Sequence, residues 1–247
     1  MPLTDEIIAT LLLDCTTNGN IIWANGFDKT REITLEDVES IVPRHEKNRA
    51  DQKFRTRSRA EIFTPHEVCK LQNDLICKPF EDDWKKFVDA KFLEITCGEA
   101  PYIVNRYDAA TGKEIDIAER CGLLDRKLRV VNAETSTVAD WIDFAIRAVK
   151  SVYGYEFQGD NLFLARRNIL LTVEDFFAEK FSVKVRADFL MQVAEIVSWN
   201  FWQMDGLTNS PPFMDGANLF GGVNCRIKDW STNKTFEFVE LFGGKRR

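Results

Sequence analysis

Three carboxylates of the 247-residue sequence stand in or just after short apolar runs: Glu94, Glu156 and Asp205. Short apolar runs bounded by turn residues are typical of buried β-strands. Ligands of open α/β sheets bind outside the carboxyl ends of the strands, so we expect the three acids to face one crevice. Carboxylates there can accept hydrogen bonds from ribose hydroxyls and from an adenine amine, and a turn at Cys97 and Gly98 would let the backbone approach a nucleoside. Each acid taken alone is more commonly a solvated strand end, whereas the three acids together favour a shared ligand site.

A helix start is predicted shortly before the first of these strands. Thr64 has the side chain of an N-cap, and Pro65 suits the first helical position, so the helix should open at His66. A helix start and a ligand contact at Thr64 are compatible with each other.

The elements that must position the acids follow from apolar periodicity. Strand and helix patterns alternate with long spacings, which favours an α/β fold with a mostly parallel sheet covered on both faces. The last segment differs, because two short strand patterns flank a Ser-Thr-Asn-Lys turn and predict a hairpin. The predicted helices span 5–13, 139–150, 160–173 and 188–198, the strands 91–95, 152–157 and 199–204, and the hairpin 223–241. The cap of the third helix is predicted near Asp160.

Composition excludes several classes of protein. Hydrophobic residues make up 45% of the chain, which is enough for a well-filled core. The sequence has no run of about 18 apolar residues and no secretory signal pattern at its N-terminus, so we expect a cytoplasmic protein with no membrane partner. Six cysteines without a C-x-x-C pair, and only two histidines, predict reduced, mostly buried thiols and no metal site.

The charge is unevenly distributed. A net charge of −6 is not typical of a nucleic-acid binder. Residues 44–59 nevertheless carry seven Lys and Arg against two acids, and the chain ends in Lys245-Arg246-Arg247. This basic arm could bind phosphate, or it could be a solvated linker, and both interpretations remain open.

Four segments, taken in order, resemble a known family. Residues 63–68 (FTPHEV) resemble the F-T-P element, and residues 93–101 (LEITCGEAP) the D-P-A-C-G-S-G loop, of DNA adenine-N6 methyltransferases. Residues 154–171 are similar to their G-x-E segment followed by L-A-R-x-N-L-L-L, and residues 202–207 (WQMDGL) to their G-D-x-L turn. These are the type I-like modification subunits of restriction–modification systems, and the resemblance covers about 60–207.

The resemblance implies a Rossmann-like S-adenosylmethionine-dependent methyltransferase core over 60–220, after an N-terminal extension with the basic arm (1–59) and before a C-terminal hairpin and basic tail (221–247). It also implies S-adenosylmethionine as cofactor. Thr64 would contact the methionine carboxylate, and Glu94 and Gly98 would line the amino-acid end. Glu156 would bind the ribose and Asp205 the adenine amine. The complete cofactor set implied is Phe63, Thr64, Pro65, Glu94, Thr96, Gly98, Glu156, Phe157 and Asp205.

The family catalyses transfer with an Asn/Asp-Pro-Pro-Tyr/Phe motif, which accepts hydrogen bonds from the target amine and stacks on the flipped base. Here the counterpart is Ser210-Pro211-Pro212-Phe213. It lies five residues after Asp205, which leaves no room for the strand that normally presents the motif, and such a segment is also an ordinary turn.

Two functions therefore remain in view. The first is an adenine-N6 DNA methyltransferase subunit, with DNA and a specificity or nuclease subunit as partners. The alternative is a catalytically inactive S-adenosylmethionine-binding subunit or sensor of a DNA-defence system. A nuclease is disfavoured, because the sequence offers no convincing Asp…Glu-x-Lys arrangement on adjacent strands.

Overall fold

A computed structural model describes residues 3–26, 28–59, 61–62, 64–80, 82–215 and 222–243, without the side chain of Arg59. Phe63 and the basic tail at 245–247 lie outside the described residues. The helices are α1 (Asp5–Leu12), α2 (Arg49–Arg59), α3 (His66–Cys77), α4 (Trp84–Asp89), α5 (Leu123–Glu134), α6 (Val138–Lys150), α7 (Gly159–Phe181) and α8 (Ala187–Asn200). The strands are β1 (Phe92–Glu94), β2 (Val152–Glu156), β3 (Phe201–Gln203), β4 (Arg226–Asp229) and β5 (Lys234–Glu237). Short 3₁₀ helices span Leu35–Ser40, Arg44–Glu46, Lys78–Phe80 and Phe238–Phe242.

The first three strands form a parallel sheet in the order β1-β2-β3. Gly154 in the central strand pairs with Glu94 on one side and with Phe201 on the other. The predicted parallel sheet and α/β class are thereby confirmed in this coarse form. Because all three strands run the same way, their carboxyl ends, and the acids that follow them, lie at one edge.

The two faces of the sheet are covered by different elements. Helices α6, α7 and α8 pack against one face, and α5 packs on α6 and α7. The predicted C-terminal hairpin is confirmed as the antiparallel pair β4–β5, and Ile227 and Phe238 pack on the other face against Tyr153, Tyr155 and Trp202. Alternation along β2 explains this division, since successive side chains of a strand point to opposite faces.

The helix α6 shows why these segments fold as the sequence predicts. Thr137 caps it by accepting a hydrogen bond from the Asp140 backbone N–H at 3.1 Å. Trp141, Ala145 and Ala148 fall on one face and are fully buried. The Trp141 ring makes edge contacts with aromatic rings of α7 and α8, so this one side chain joins three helices of the core.

Two details of the predicted helix starts are wrong. Thr64 does not cap α3, because the extended residue Pro65 occupies the N-cap position and has no capping side chain. A cap must sit at that position to reach the first turn, and here the His66 N–H donates to Asp108 Oδ2 at 2.8 Å instead. Asp160 does not cap α7 either, since the N-cap residue is Gln158.

Arg166, in the family-like segment of α7, has a structural role. Its fully buried guanidinium donates hydrogen bonds to main-chain carbonyls, and burial lowers its pKa to about 10. The acceptors are the carbonyls of Leu11, Leu13, Ser198 and Phe201. One side chain therefore fastens α1 to the end of α8 and to β3.

The basic segment is folded rather than an extended linker. Arg55 of α2 is buried and donates to Glu61 at 2.6 Å and to Asp160 at 2.8 Å. Lys47 also pairs with Asp160 at 3.1 Å. These contacts attach α2 to the first turn of α7.

Within the part of the chain that the structure describes, no helix is long and apolar enough to cross a membrane. Nor does any group of three His, Cys, Asp or Glu side chains among those residues form a metal-holding cluster. All six cysteines are free, and four of them are buried.

Candidate functional site

A cavity of about 870 Å³ lies at the carboxyl ends of the parallel strands. It gathers side chains and backbone from segments far apart in the sequence, as expected for a crevice at that edge of the sheet. Seven of the predicted cofactor residues line it: Thr64, Glu94, Thr96, Gly98, Glu156, Phe157 and Asp205. Pro65 is not among the lining residues.

The loop after β1 forms one wall and has an unusual backbone. Thr96, Gly98 and Ala100 all have positive φ, at 48°, 55° and 61°. Such conformations cost free energy for residues other than glycine and persist when surrounding contacts hold them. Here the Cys97 N–H donates to the Tyr155 carbonyl at 2.8 Å, so the loop is tied to β2.

Glu156 joins this loop to the loop after β2. Its carboxylate accepts from the Gly98 N–H at 2.9 Å and from the Gln158 N–H at 3.1 Å. The residue is 6% exposed. Burial raises its pKa to about 7, although the two backbone hydrogen bonds act in the opposite direction. The carboxyl group therefore titrates near neutral pH.

Glu94, a half-buried residue, contributes another carboxyl group to the cavity. Burial raises its pKa well above the ordinary value, and the negative charge of Glu156 adds to the effect. Its Oε1 accepts a long hydrogen bond from the Tyr102 N–H at 3.4 Å, while its Oε2 is buried without a protein partner. A buried acceptor without a partner is costly unless a ligand satisfies it.

Unpartnered acceptors are a shared feature of the cavity walls. Besides Glu94 Oε2, the buried oxygens Asn73 Oδ1 and Gln158 Oε1 belong to lining side chains and accept no hydrogen bond from the protein. The charged lining residues are Arg57, Glu61, Glu94, Glu156 and Asp205. With four carboxyl groups and one arginine, the lining is rich in hydrogen-bond acceptors and favours a ligand that is rich in hydrogen-bond donors.

Several lining residues were not predicted from the sequence. Gln158 is the N-cap residue of α7 and Asn161 lies in its first turn, and polar residues at the start of an apolar helix were the available signal. Glu61 and Asn73 lie in segments with no such signal. Asn73 is fully buried and donates to the carbonyls of Tyr102 and Cys121, which holds α3 against the cavity.

Ion pairs behind the cavity hold Glu61 and Asn161 in place. Arg55 donates to both residues, and Asn161 donates in turn to Glu61 at 3.1 Å. Burial alone would raise the pKa of Asp160, but Arg55 and Lys47 hold it below its ordinary value. The network therefore keeps Asp160 ionised.

Glu99 stands where the resembled family has serine, and it too is buried. It accepts from the Arg44 N–H at 2.8 Å and from the Tyr107 hydroxyl at 2.5 Å. These contacts fix the end of the loop after β1 to the N-terminal part of the chain.

The predicted catalytic segment lies beside the cavity. Ser210, Pro211 and Pro212 are buried and do not line it. The Ser210 hydroxyl shares a hydrogen bond with Thr208 at 2.7 Å. Phe213 is 37% exposed, and its ring meets the ring of Phe157 edge-on at 5.6 Å between centroids. Phe213 is thus separated from the cavity by one aromatic side chain.

Comparison of the chain with family models, with curated proteins and with solved structures gave no match. The chemistry of the cavity is thus the structural guide to function. It offers hydrogen-bond acceptors, carboxyl groups and the aromatic side chains of Tyr102 and Phe157 around a volume of about 870 Å³.

Proposed function

We propose that this chain binds S-adenosylmethionine and is the cofactor-binding core of a DNA adenine-N6 methyltransferase of a restriction–modification system. The observation that carries the proposal is the acidic cavity, with buried acceptors that no protein group satisfies. S-adenosylmethionine has the complementary chemistry, since it carries a sulfonium, an ammonium, two ribose hydroxyls and an adenine amine. The proposal is also supported by the sequence, in which four segments resemble the motifs of this family in the same order.

Each carboxylate has a role that fits its surroundings. Glu156 already accepts two backbone hydrogen bonds, but an ionised carboxylate has about four acceptor sites and can take two ribose hydroxyls as well. The unpartnered Oε2 of Glu94 would accept from the ammonium group. Asp205 would accept from the adenine amine, and Thr64 would contact the methionine carboxylate.

The transfer would replace one proton of the adenine N6 by the methyl group of S-adenosylmethionine, and the proton would pass to solvent. S-adenosylhomocysteine is the other product. The target base must leave the DNA stack, and an aromatic side chain usually holds it. Phe213, with its ring against Phe157 of the cavity wall, is the aromatic residue we assign to that contact.

A second candidate function is cofactor binding without transfer. It is favoured by one observation, the burial of Ser210, Pro211 and Pro212, whose polar groups do not line the cavity. In that case the chain would act as a subunit or sensor of a defence system.

Calorimetric titration with S-adenosylmethionine and S-adenosylhomocysteine tests the proposal. We expect the wild type to bind both and Glu94→Gln to bind S-adenosylmethionine at least tenfold more weakly, because a hydrogen bond to a charged group contributes about 1.5–3 kcal/mol. Glu195→Gln, at an exposed position on α8, is the matched control and should bind as the wild type does. Absence of binding by the wild type would refute the proposal.

Transfer of a labelled methyl group to mixed-sequence DNA separates the two candidate functions. The methyltransferase function is supported if the wild type labels DNA and if Phe213→Ala binds the cofactor but no longer labels DNA. Normal cofactor binding without label on any DNA supports the second candidate.

A further inference from the structure

The outer face of α2 carries a row of cations. Arg49, Lys53 and Arg57 follow each other at intervals of four residues, and all three are exposed. Since each residue turns an α-helix by about 100°, the three side chains fall within an arc of about 80° and span about 12 Å. We call these three residues the basic stripe.

The opposite side of α2 is fixed to the body of the protein. Arg55 is buried against Asp160 and Glu61, so the helix presents the basic stripe in a defined orientation. Asp51, the acid of α2, lies about 200° around the helix from Arg49 and accepts a hydrogen bond from the Asn48 amide at 2.5 Å. It therefore does not interrupt the row.

The charges of the basic stripe are not neutralised within the protein. No acid among the described residues forms an ion pair with Arg49, Lys53 or Arg57. The neighbouring cations Lys47 and Arg55 differ, because both are paired with buried acids. The basic stripe also reaches the edge of the cavity, because Arg57 is one of the residues that line the cavity.

We propose that the basic stripe binds the phosphate backbone of duplex DNA and guides it to the cavity. One DNA strand carries a phosphate every 3.4 Å along the helix axis, so about 12 Å covers three to four phosphates. This inference deepens the proposed function, on which the choice of DNA as the polyanion rests. Cations that contact phosphate position a duplex without reading its sequence.

The test is fluorescence anisotropy with a labelled 20-base-pair duplex over a series of salt concentrations. The test variant is Arg49→Gln/Lys53→Gln/Arg57→Gln. The control, Lys86→Gln/Lys113→Gln/Lys184→Gln, removes the same charge from exposed positions elsewhere. Each contacted phosphate contributes about −0.9 to the slope of log affinity against log salt concentration. We therefore expect this slope to be flatter by about 2 to 3 in the test variant than in the wild type. The affinity of the test variant for the duplex should also fall at least tenfold. The control should keep the wild-type slope.

Equal losses in the two triple variants, or a wild type that does not bind the duplex, would overturn the inference. Thermal unfolding followed by circular dichroism verifies that both variants are folded. Titration with S-adenosylmethionine distinguishes the two proposals. Stripe-dependent DNA binding without cofactor binding would refute the proposed function alone, and cofactor binding without DNA binding would refute this inference alone.

Discussion

Replacing Glu156 by glutamine should change how the stability of the protein depends on pH. Burial raises the pKa of this carboxyl group from 4.5 to about 7 in the folded protein. In the folded state it therefore holds its proton up to about pH 7, whereas in the unfolded chain it ionises near pH 4.5. The contribution of Glu156 to stability is fully present at low pH and is lost as pH rises through this interval.

The size of the effect follows from the two pKa values. At 1.36 kcal/mol per pKa unit, the interval from 4.5 to about 7 corresponds to about 3 kcal/mol, most of which falls between pH 5 and pH 8. Glutamine cannot ionise, so Glu156→Gln lacks this pH dependence. The unfolding free energy of the variant, relative to the wild type, should rise by about 2 kcal/mol from pH 5 to pH 8.

Urea unfolding at both pH values measures this difference, because the other titrating groups contribute to both proteins. Glu156→Gln can be less stable at pH 5, since glutamine satisfies only one of the Gly98 and Gln158 N–H donors. The change with pH is the decisive quantity. The exposed substitution Glu195→Gln should show none. A pH-independent difference for Glu156→Gln would mean that the backbone hydrogen bonds keep Glu156 ionised at pH 5 in spite of its burial.

Three further outcomes are expected. The affinity for S-adenosylmethionine should increase from pH 5.5 to pH 8, with proton release detectable by calorimetry in buffers of different ionisation enthalpy, because a cation favours the ionised form of Glu156. Trp141→Ala should lower the unfolding free energy by about 3–5 kcal/mol in urea unfolding, since it empties a fully buried site between three helices. Arg55→Met should cost about 3–5 kcal/mol, measured in the same way, because it leaves Asp160 and Glu61 with too little compensating positive charge. Lys53→Met, on the exposed side of the same helix, is its control and should change stability by less than about 0.5 kcal/mol.

The strands of the sheet were predictable because their side chains are apolar and because each is followed by a turn. The same reasoning placed helix α6 within one residue of its observed start, at Val138 instead of Ala139. It failed for the caps predicted at Thr64 and Asp160, because the N-cap residues are Pro65 and Gln158. In α3 the first N–H group instead donates to a remote acceptor, Asp108. Local sequence does not reveal such a tertiary partner.

The candidate site shows the same limit. The acids at the strand ends were predictable, since topology alone brings the carboxyl ends of parallel strands together. The contributions of Glu61 and Asn73 were not, because they depend on how α2 and α3 pack over that edge. Ser210 and Phe213 remain predictions, since the contact between Phe213 and Phe157 is compatible with either candidate function.

The ion pairs behind the cavity account for the inner side of α2, the basic helix of this acidic chain. On its inner side α2 supplies Arg55 to the buried acids Asp160 and Glu61, which would otherwise be costly. Glu61 lines the cavity, so the same pairs shape the ligand site and set the direction in which the outer side of α2 faces. The two sides of the helix therefore have separable roles. Loss of Arg55 should disturb both the cavity and the basic stripe, whereas loss of Lys53 should affect only the outer surface.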